Sequence, residues 1–256
     1  MAVVVPAALL AVVAVEVALA RRAPMLDDLP LELGGRVGEG AAPVLRALWL
    51  GDSTAAGVGA SGAMAALPTL VAEGLGRPVE LSVVARSGAT VADVVDDQLP
   101  LARSGLSPEV IFVSVGANDV TDLTSRADFE ESYSRLVQGL PDGARVVVLG
   151  VPDMGAIPRL AQPLRALAGW RGQALDRVVR SVAQASASAY VDIGGETGPA
   201  FRAQPRRFFA GDDFHPSDEG YRRWADAVLD VARPVVGPAR AGPARAGPGP
   251  ASATTG

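Results

Sequence analysis

Hydrophobic positions along this chain fall into two alternating kinds of segment. Five short, nearly continuous apolar runs, 44–50, 79–84, 110–115, 145–151 and 189–193, are separated by longer helix-like segments, 64–75, 91–103, 126–140, 164–188 and 217–231. Continuous apolar runs of this length predict strands covered on both faces. Strand and helix in strict alternation predict a parallel sheet with right-handed crossovers, an α/β fold in three layers. In such sheets ligands bind at the carboxyl ends of the strands. The residues just after each apolar run are therefore where chemistry is to be sought.

The flanking segments read differently. Residues 2–20 are nearly all Ala, Val and Leu, with Pro6 and Glu16 as exceptions. As a helix this stretch is about 28 Å long at about 1.5 Å per residue, close to the ~30 Å of a bilayer core. Alanine makes it a weak span, and Glu16 carries a cost in lipid. Ala18-Leu19-Ala20 has the small-x-small form of a signal cleavage site, although no basic n-region precedes the apolar run. Arg21-Arg22 follows it, which would hold the rest of the chain on the cytoplasmic side. The two signals disagree about the side of the membrane. The expectation is an apolar anchor or signal segment over residues 1–22, with membrane association through residues 1–20 and a protein that is anchored or exported. A frayed apolar terminus is the plainer reading. Residues 23–43, with Pro, Gly and charge but no periodicity, read as a linker. Residues 44–232 form the folded domain. Residues 233–256, built from Pro, Gly, Ala and Arg, read as a disordered tail.

Composition narrows the function classes. A chain of 256 residues suits one α/β domain with appendages. The net charge is −5 and the arginines are spread through the chain, so no nucleic-acid partner is expected. There is no cysteine, which excludes disulfides and thiolate metal sites. There is one histidine, His215.

That histidine gives the search for a nucleophile a single base. Leu50-Gly51-Asp52-Ser53-Thr54 follows the first apolar run, so Ser53 stands at the exit of a predicted strand. A serine hydroxyl needs a base within hydrogen-bond reach, and the base needs an orienting carboxylate. Asp212 lies three residues before His215, a spacing that lets its carboxylate fold back onto Nδ1. Pro216 biases His215 away from helical backbone and keeps it at a loop end. Ser217 caps the following helix. Each piece alone has an ordinary reading as a turn or a cap. Their shared position at strand-to-helix junctions is what gives them weight. Acyl transfer also needs donors for an oxyanion. Gly88, in Arg86-Ser87-Gly88, follows the second run and lets backbone N–H approach a ligand. Asn118, in Gly116-Ala117-Asn118-Asp119, offers a side-chain amide after the third. Gly57-x-Gly59 invites a phosphate-binding reading, but its spacing matches neither a P-loop nor a dinucleotide fingerprint.

In this order, Gly51-Asp52-Ser53, Gly88, Gly116-Ala117-Asn118-Asp119 and Asp212-x-x-His215-Pro216 resemble the motifs of the SGNH hydrolases, the GDSL-like esterase and lipase superfamily. The resemblance spans about residues 44–231. It implies a flavodoxin-like α/β/α sandwich and a carboxylic ester hydrolase acting on a small-molecule ester without metal or organic cofactor. Carried over residue by residue, it implies Ser53 as nucleophile, His215 as base and Asp212 as its partner. The backbone N–H groups of Ser53 and Gly88 and the amide of Asn118 would form the oxyanion hole. Asp213, beside Asp212, is the competing acid; the three-residue spacing favours Asp212. Thr54 stands where the family's nickname has leucine.

Three readings of substrate remain open at this level: lipid or lysophospholipid esters, carbohydrate O-acetyl esters, or a catalytically silent binding module on the same fold. The loops at 120–125 and 152–169 would set the choice. Met154, Ile157, Leu160, Leu164 and Trp170 either line an acyl pocket or pack the core.

Overall fold

The computed structural model of the chain describes residues 4–22, 26 and 31–237. Six strands form one sheet: β1 (Gly35–Val37), β2 (Leu45–Gly51), β3 (Val79–Ala85), β4 (Val110–Ser114), β5 (Arg145–Leu149) and β6 (Ala189–Val191). Their order is β1-β3-β2-β4-β5-β6, with β2 to β6 parallel and β1 antiparallel at the edge. The helices are α1 (Val4–Arg22), α2 (Leu67–Gly74), α3 (Val91–Asp93), α4 (Leu99–Arg103), α5 (Ala117–Thr121), α6 (Arg126–Gly139), α7 (Leu164–Ala185), α8 (Ile193–Ala203), α9 (Pro205–Phe208) and α10 (Asp218–Val236). A π-helical turn, Val94–Gln98, joins α3 to α4.

The expected architecture is present: a mostly parallel sheet between helical layers, α2 packing on α10 and α6 on α7. Strands β2 and β4 lie at its centre. Every residue of β4 is buried, as are all of β2 except Arg46. Trp49 and Phe112 stack across the two strands at 4.8 Å. Burial on both faces is why these strands read as unbroken apolar runs. From β2 the chain moves to β3 on one side, then crosses back to β4 on the other. The loops leaving β2 and β4 diverge at that reversal and open a crevice there.

Besides α8, which fills a stretch the hydrophobic pattern left unassigned and takes Ile193 from the expected strand, three features depart from the sequence reading. The linker contains a strand: β1 pairs Gly35, Arg36 and Val37 with Leu81, Glu80 and Val79 of β3. Three residues with a glycine carry no alternation to read, and the pairing exists only because β3 offers an open edge. The last helix runs to Val236, past the expected tail boundary at 233. Arg233 donates from Nε and Nη2 to the Gly74 carbonyl, at 3.1 and 2.9 Å, and Val236 is buried, so packing carries the helix through Pro234. The remainder of the expected tail, 238–256, lies outside the described residues.

The third concerns the N-terminus. The expectation of a membrane anchor or signal segment finds no support in the fold: among the described residues, no helix is long and apolar enough to cross a membrane. Instead α1 contacts α7. Pro163, which precedes α7, supplies no side-chain cap. Glu16 supplies one from α1, its Oε2 accepting from the Leu164 N–H at 2.9 Å. A carboxylate at a helix N-terminus satisfies an orphan donor and meets the positive end of the helix dipole. The residue that counts against a bilayer span has a use in a docked helix.

Candidate active site

Gly51 ends β2 at the bottom of the crevice. A Cβ built on it would stand 2.0 Å from the Ser114 carbonyl oxygen of β4, so only glycine lets the two strand ends close up. Asp52 N–H then donates to that same carbonyl at 3.0 Å. The Asp52 side chain is buried and turns back on its own loop: Oδ1 accepts from the Thr54 N–H at 2.9 Å and from the Thr54 hydroxyl at 2.8 Å. Thr54 Oγ1 also meets Ser114 Oγ at 2.7 Å. Asp52 therefore shapes the turn, and Thr54 uses its hydroxyl to tie that turn to β4. With the turn held on both sides, Ser53 projects into the crevice.

On the other side of the crevice, residues 211–216 bring His215. They join α9 to α10 and do not follow a strand, contrary to the sequence reading, because α8 and α9 intervene after β6. His215 Nε2 lies 3.0 Å from Ser53 Oγ, and His215 Nδ1 lies 2.6 Å from Asp212 Oδ2. The other oxygen of Asp212 accepts the backbone N–H groups of Phe214 and His215, at 3.1 and 3.0 Å. This is how a three-residue spacing works. The carboxylate caps its own turn with one oxygen and orients the imidazole with the other. Burial raises the Asp212 carboxyl, but the hydrogen bonds from the His215 ring and from the backbone N–H groups outweigh it and hold the group below the usual carboxylate value. Asp213, the competing acid, is exposed and has φ of 55°. Gly59 has a structural use here as well, since a Cβ at that position would stand 2.3 Å from the Pro216 carbonyl oxygen.

The expected donors stand at the neighbouring strand ends. Asn118, at the start of α5, lines the same cavity as Ser53 and His215. One N–H of its amide is committed to the Ala89 carbonyl at 2.9 Å, which leaves the other to point elsewhere. Asp119 accepts from the Val91 N–H at 3.0 Å, so this pair of residues holds the turn that carries Gly88. Gly88 is exposed in that turn, and nothing lies within 4 Å of the space a side chain would occupy. Among the described residues, no group of three or more His, Cys, Asp and Glu is arranged to hold a metal ion.

The comparisons with known proteins agree with one another. Residues 49–223 match the model of the GDSL-like lipase/acylhydrolase family. The chain belongs to that family. A GDSL-like esterase of Mycobacterium tuberculosis is 33% identical over 225 residues, covering 82% of this chain and 72% of that protein. The fold is similar to that of a solved member of the lipolytic G-D-S-L family from Veillonella parvula, with TM-score 0.61, 16% identity, and coverage of 73% of this chain and 97% of that one. It is also similar to phospholipase A1 from Streptomyces albidoflavus, with TM-score 0.55, 22% identity, and coverage of 77% and 98%. As a member of the family, the chain is an ester hydrolase.

The family motifs do not contain every residue that builds this site. Gln98 and Arg159 escape the sequence reading. Gln98 reaches Gly51 from the end of the π-helical turn. Its one signal was a polar residue between Val94, Val95 and Leu99 on a buried helical face. Arg159 donates from Nη1 to the Asp212 carbonyl at 3.1 Å and from Nε to the Ala20 carbonyl at 3.0 Å, joining the triad loop to α1. Nothing in the spacing of the chain predicts that contact. Of the residues expected around an acyl pocket, Met154 and Ile157 line the catalytic cavity, while Trp170 is 69% exposed on α7.

Proposed function

We propose that the protein is a serine esterase working through an acyl-enzyme. The observation that carries this reading is the unbroken line from Ser53 Oγ through His215 to Asp212, at 3.0 and 2.6 Å. Ser53 Oγ attacks the ester carbonyl carbon while His215 Nε2 takes the hydroxyl proton. The tetrahedral oxyanion is met by the N–H groups of Ser53 and Gly88 and by the free N–H of Asn118. The carbon–alkoxy bond breaks, and the alcohol leaves with the proton from Nε2. Water then gives a proton to Nε2 and its oxygen bonds to the acyl carbon. Collapse breaks the carbon–Oγ bond, returns the proton to Ser53 and releases the carboxylic acid. Asp212 stays ionised and stabilises the imidazolium throughout.

The substrates are esters with an aliphatic acyl part, of the lipid or lysophospholipid kind. The apolar walls beside Ser53 support this for the part of the ester next to the carbonyl, with Met154, Ile157, Phe201, Phe209 and Phe214 around a space too small for a whole chain. The phospholipase A1 likeness is consistent with it. A carbohydrate ester would want more polar groups than that wall supplies in Asp153, already paired with Arg202, and Thr197, bonded to the Ile193 carbonyl. A silent binding module would have no use for a serine held on an oriented imidazole.

The test is direct. Wild-type protein should hydrolyse p-nitrophenyl butyrate and take a fluorophosphonate label on Ser53. Ser53→Ala should lose both while keeping its far-UV circular dichroism. Undiminished turnover in that variant overturns the reading.

A further inference from the structure

The catalytic cavity is small. Its volume is about 40 Å³, room for a few water molecules but not for an alkyl chain of any length. Phe214 forms one wall, its ring 5.1 Å from that of His215. The same Phe214 is also part of a second, larger cavity of about 490 Å³. There Val13 and Val17 of α1 line one side, and Leu160, Leu164 and Leu167 line the other. The space is dominantly apolar. Its two arginines are turned to backbone carbonyls: Arg171 to Asp119, Val120 and Thr124, Arg159 to Ala20 and Asp212. The other cavity that adjoins the site, sharing Pro152 and Asp153 with it, is lined by Asp176, Arg177, Arg180, Asp192 and Arg202, charges that an alkyl chain would strip of water.

We propose that the apolar groove between α1 and α7 receives the aliphatic chain of the ester, so that the N-terminal helix is a wall of the substrate site. This rests on the esterase reading above and extends it to a segment outside the matched family region, which begins at residue 49. The wall is held in place at two points: Glu16 on the Leu164 N–H, and the Ala20 carbonyl on Arg159, which also grips the Asp212 carbonyl. Docking of α1 and alignment of the triad loop therefore share one side chain.

Each methylene moved from water into such a groove improves binding about fourfold. Filling the groove so that two methylenes lose their place should cost about fifteenfold for a long chain, and little for an acetyl group that ends before Phe214. The experiment uses the full chain and two substrate series: p-nitrophenyl esters from acetate to decanoate, which vary the acyl chain, and alkyl acetates from ethyl to decyl, which vary the alcohol. The readout is the ratio of kcat/KM for the longest and shortest member. Val17→Phe, on α1, and Leu167→Trp, half-exposed on α7 and outside the core, should each lower that ratio at least about tenfold in one series. The series that responds identifies which side of the ester occupies the groove. Val12→Phe, on an exposed part of α1 outside the groove, should leave both ratios as in the wild type. Unchanged ratios in both groove variants, or an equal fall in Val12→Phe, overturn the inference while leaving the esterase reading standing. Failure of the wild type on every ester overturns that reading and this one with it.

Discussion

Gln98 closes on Gly51 with both halves of its amide. Its Oε1 accepts from the Gly51 N–H at 2.9 Å, and its Nε2 donates to the Gly51 carbonyl at 2.8 Å. Gly51 is the last paired residue of the central strand and stands two positions before Ser53, the proposed nucleophile. The sheet ladder ends there, and Gln98 continues it with a side chain. Gln98→Leu keeps the volume but leaves a buried N–H unpaired, which costs on the order of 1–3 kcal/mol. It should also lower kcat by roughly ten- to hundredfold, the scale expected when a reacting group is displaced by about 1 Å. Urea unfolding and steady-state kinetics measure the two separately. An unchanged kcat would confine Gln98 to stability.

Asn118 commits one amide N–H to the Ala89 carbonyl, and the proposed mechanism gives the other to the oxyanion. Asn118→Ala should cost about 2.7–4 kcal/mol of transition-state stabilisation, seen as a fall in kcat of about 10²–10³. KM should change much less. A variant with wild-type kcat would remove Asn118 from the oxyanion hole.

Asp52 makes stability depend on pH in an unusual direction. Burial is the dominant influence, and against the Thr54 hydrogen bonds it still raises the carboxyl from 3.8 to about 6. Between about pH 4 and pH 6 the folded protein keeps a proton at Asp52 that the unfolded chain has already released. Stability from this group therefore falls as pH rises through that window, by on the order of 3 kcal/mol in all. Asp52→Asn keeps an oxygen for Thr54 and removes the ionisation. Its unfolding free energy relative to wild type should rise across the window and level off above about pH 6. A difference that does not vary with pH would show that Asp52 titrates as an ordinary carboxyl.

Gly51 admits no side chain. A methyl at this position would stand 2.0 Å from the backbone oxygen of Ser114, and neither strand can move without breaking the centre of the sheet. Gly51→Ala should destabilise by more than about 4 kcal/mol, the range reserved for core strain. It should be recovered mainly as insoluble protein. A soluble Gly51→Ala protein with a wild-type midpoint in urea would mean that the β2–β4 contact is looser than drawn.

How much of this was legible in the chain differs from residue to residue. The central strands announced themselves because burial on both faces demands unbroken apolar runs. Ser53 and Asn118 were legible because a βα junction is short, so chemistry placed at a strand end shows as a polar cluster just after an apolar run. Asp212 and His215 follow no strand, lying between α9 and α10, and were legible from the single histidine and its three-residue spacing. The Asp212–His215 pairing was legible because both ends lie in one tight turn. β1 was not, since its pairing belongs to the edge of β3 more than to its own three residues. The end of the last helix was not, since Arg233 is held by the Gly74 carbonyl of α2, 159 positions away in sequence.

The sequence by itself determined the layers, the polar clusters after β2 and β4 and the pairing of Asp212 with His215, because these depend on local pattern and short spacing. Only the tertiary structure decided what lies around them. Gln98 meets Gly51 across 47 positions, Arg159 meets Asp212 across 53, and Glu16 caps α7 across 148. Contacts at such separations have no periodicity in the chain. They are set by which faces the folded sheet and helices bring together, and in that packing the apolar N-terminal stretch, weak as a membrane span, lies against α7 and meets Arg159.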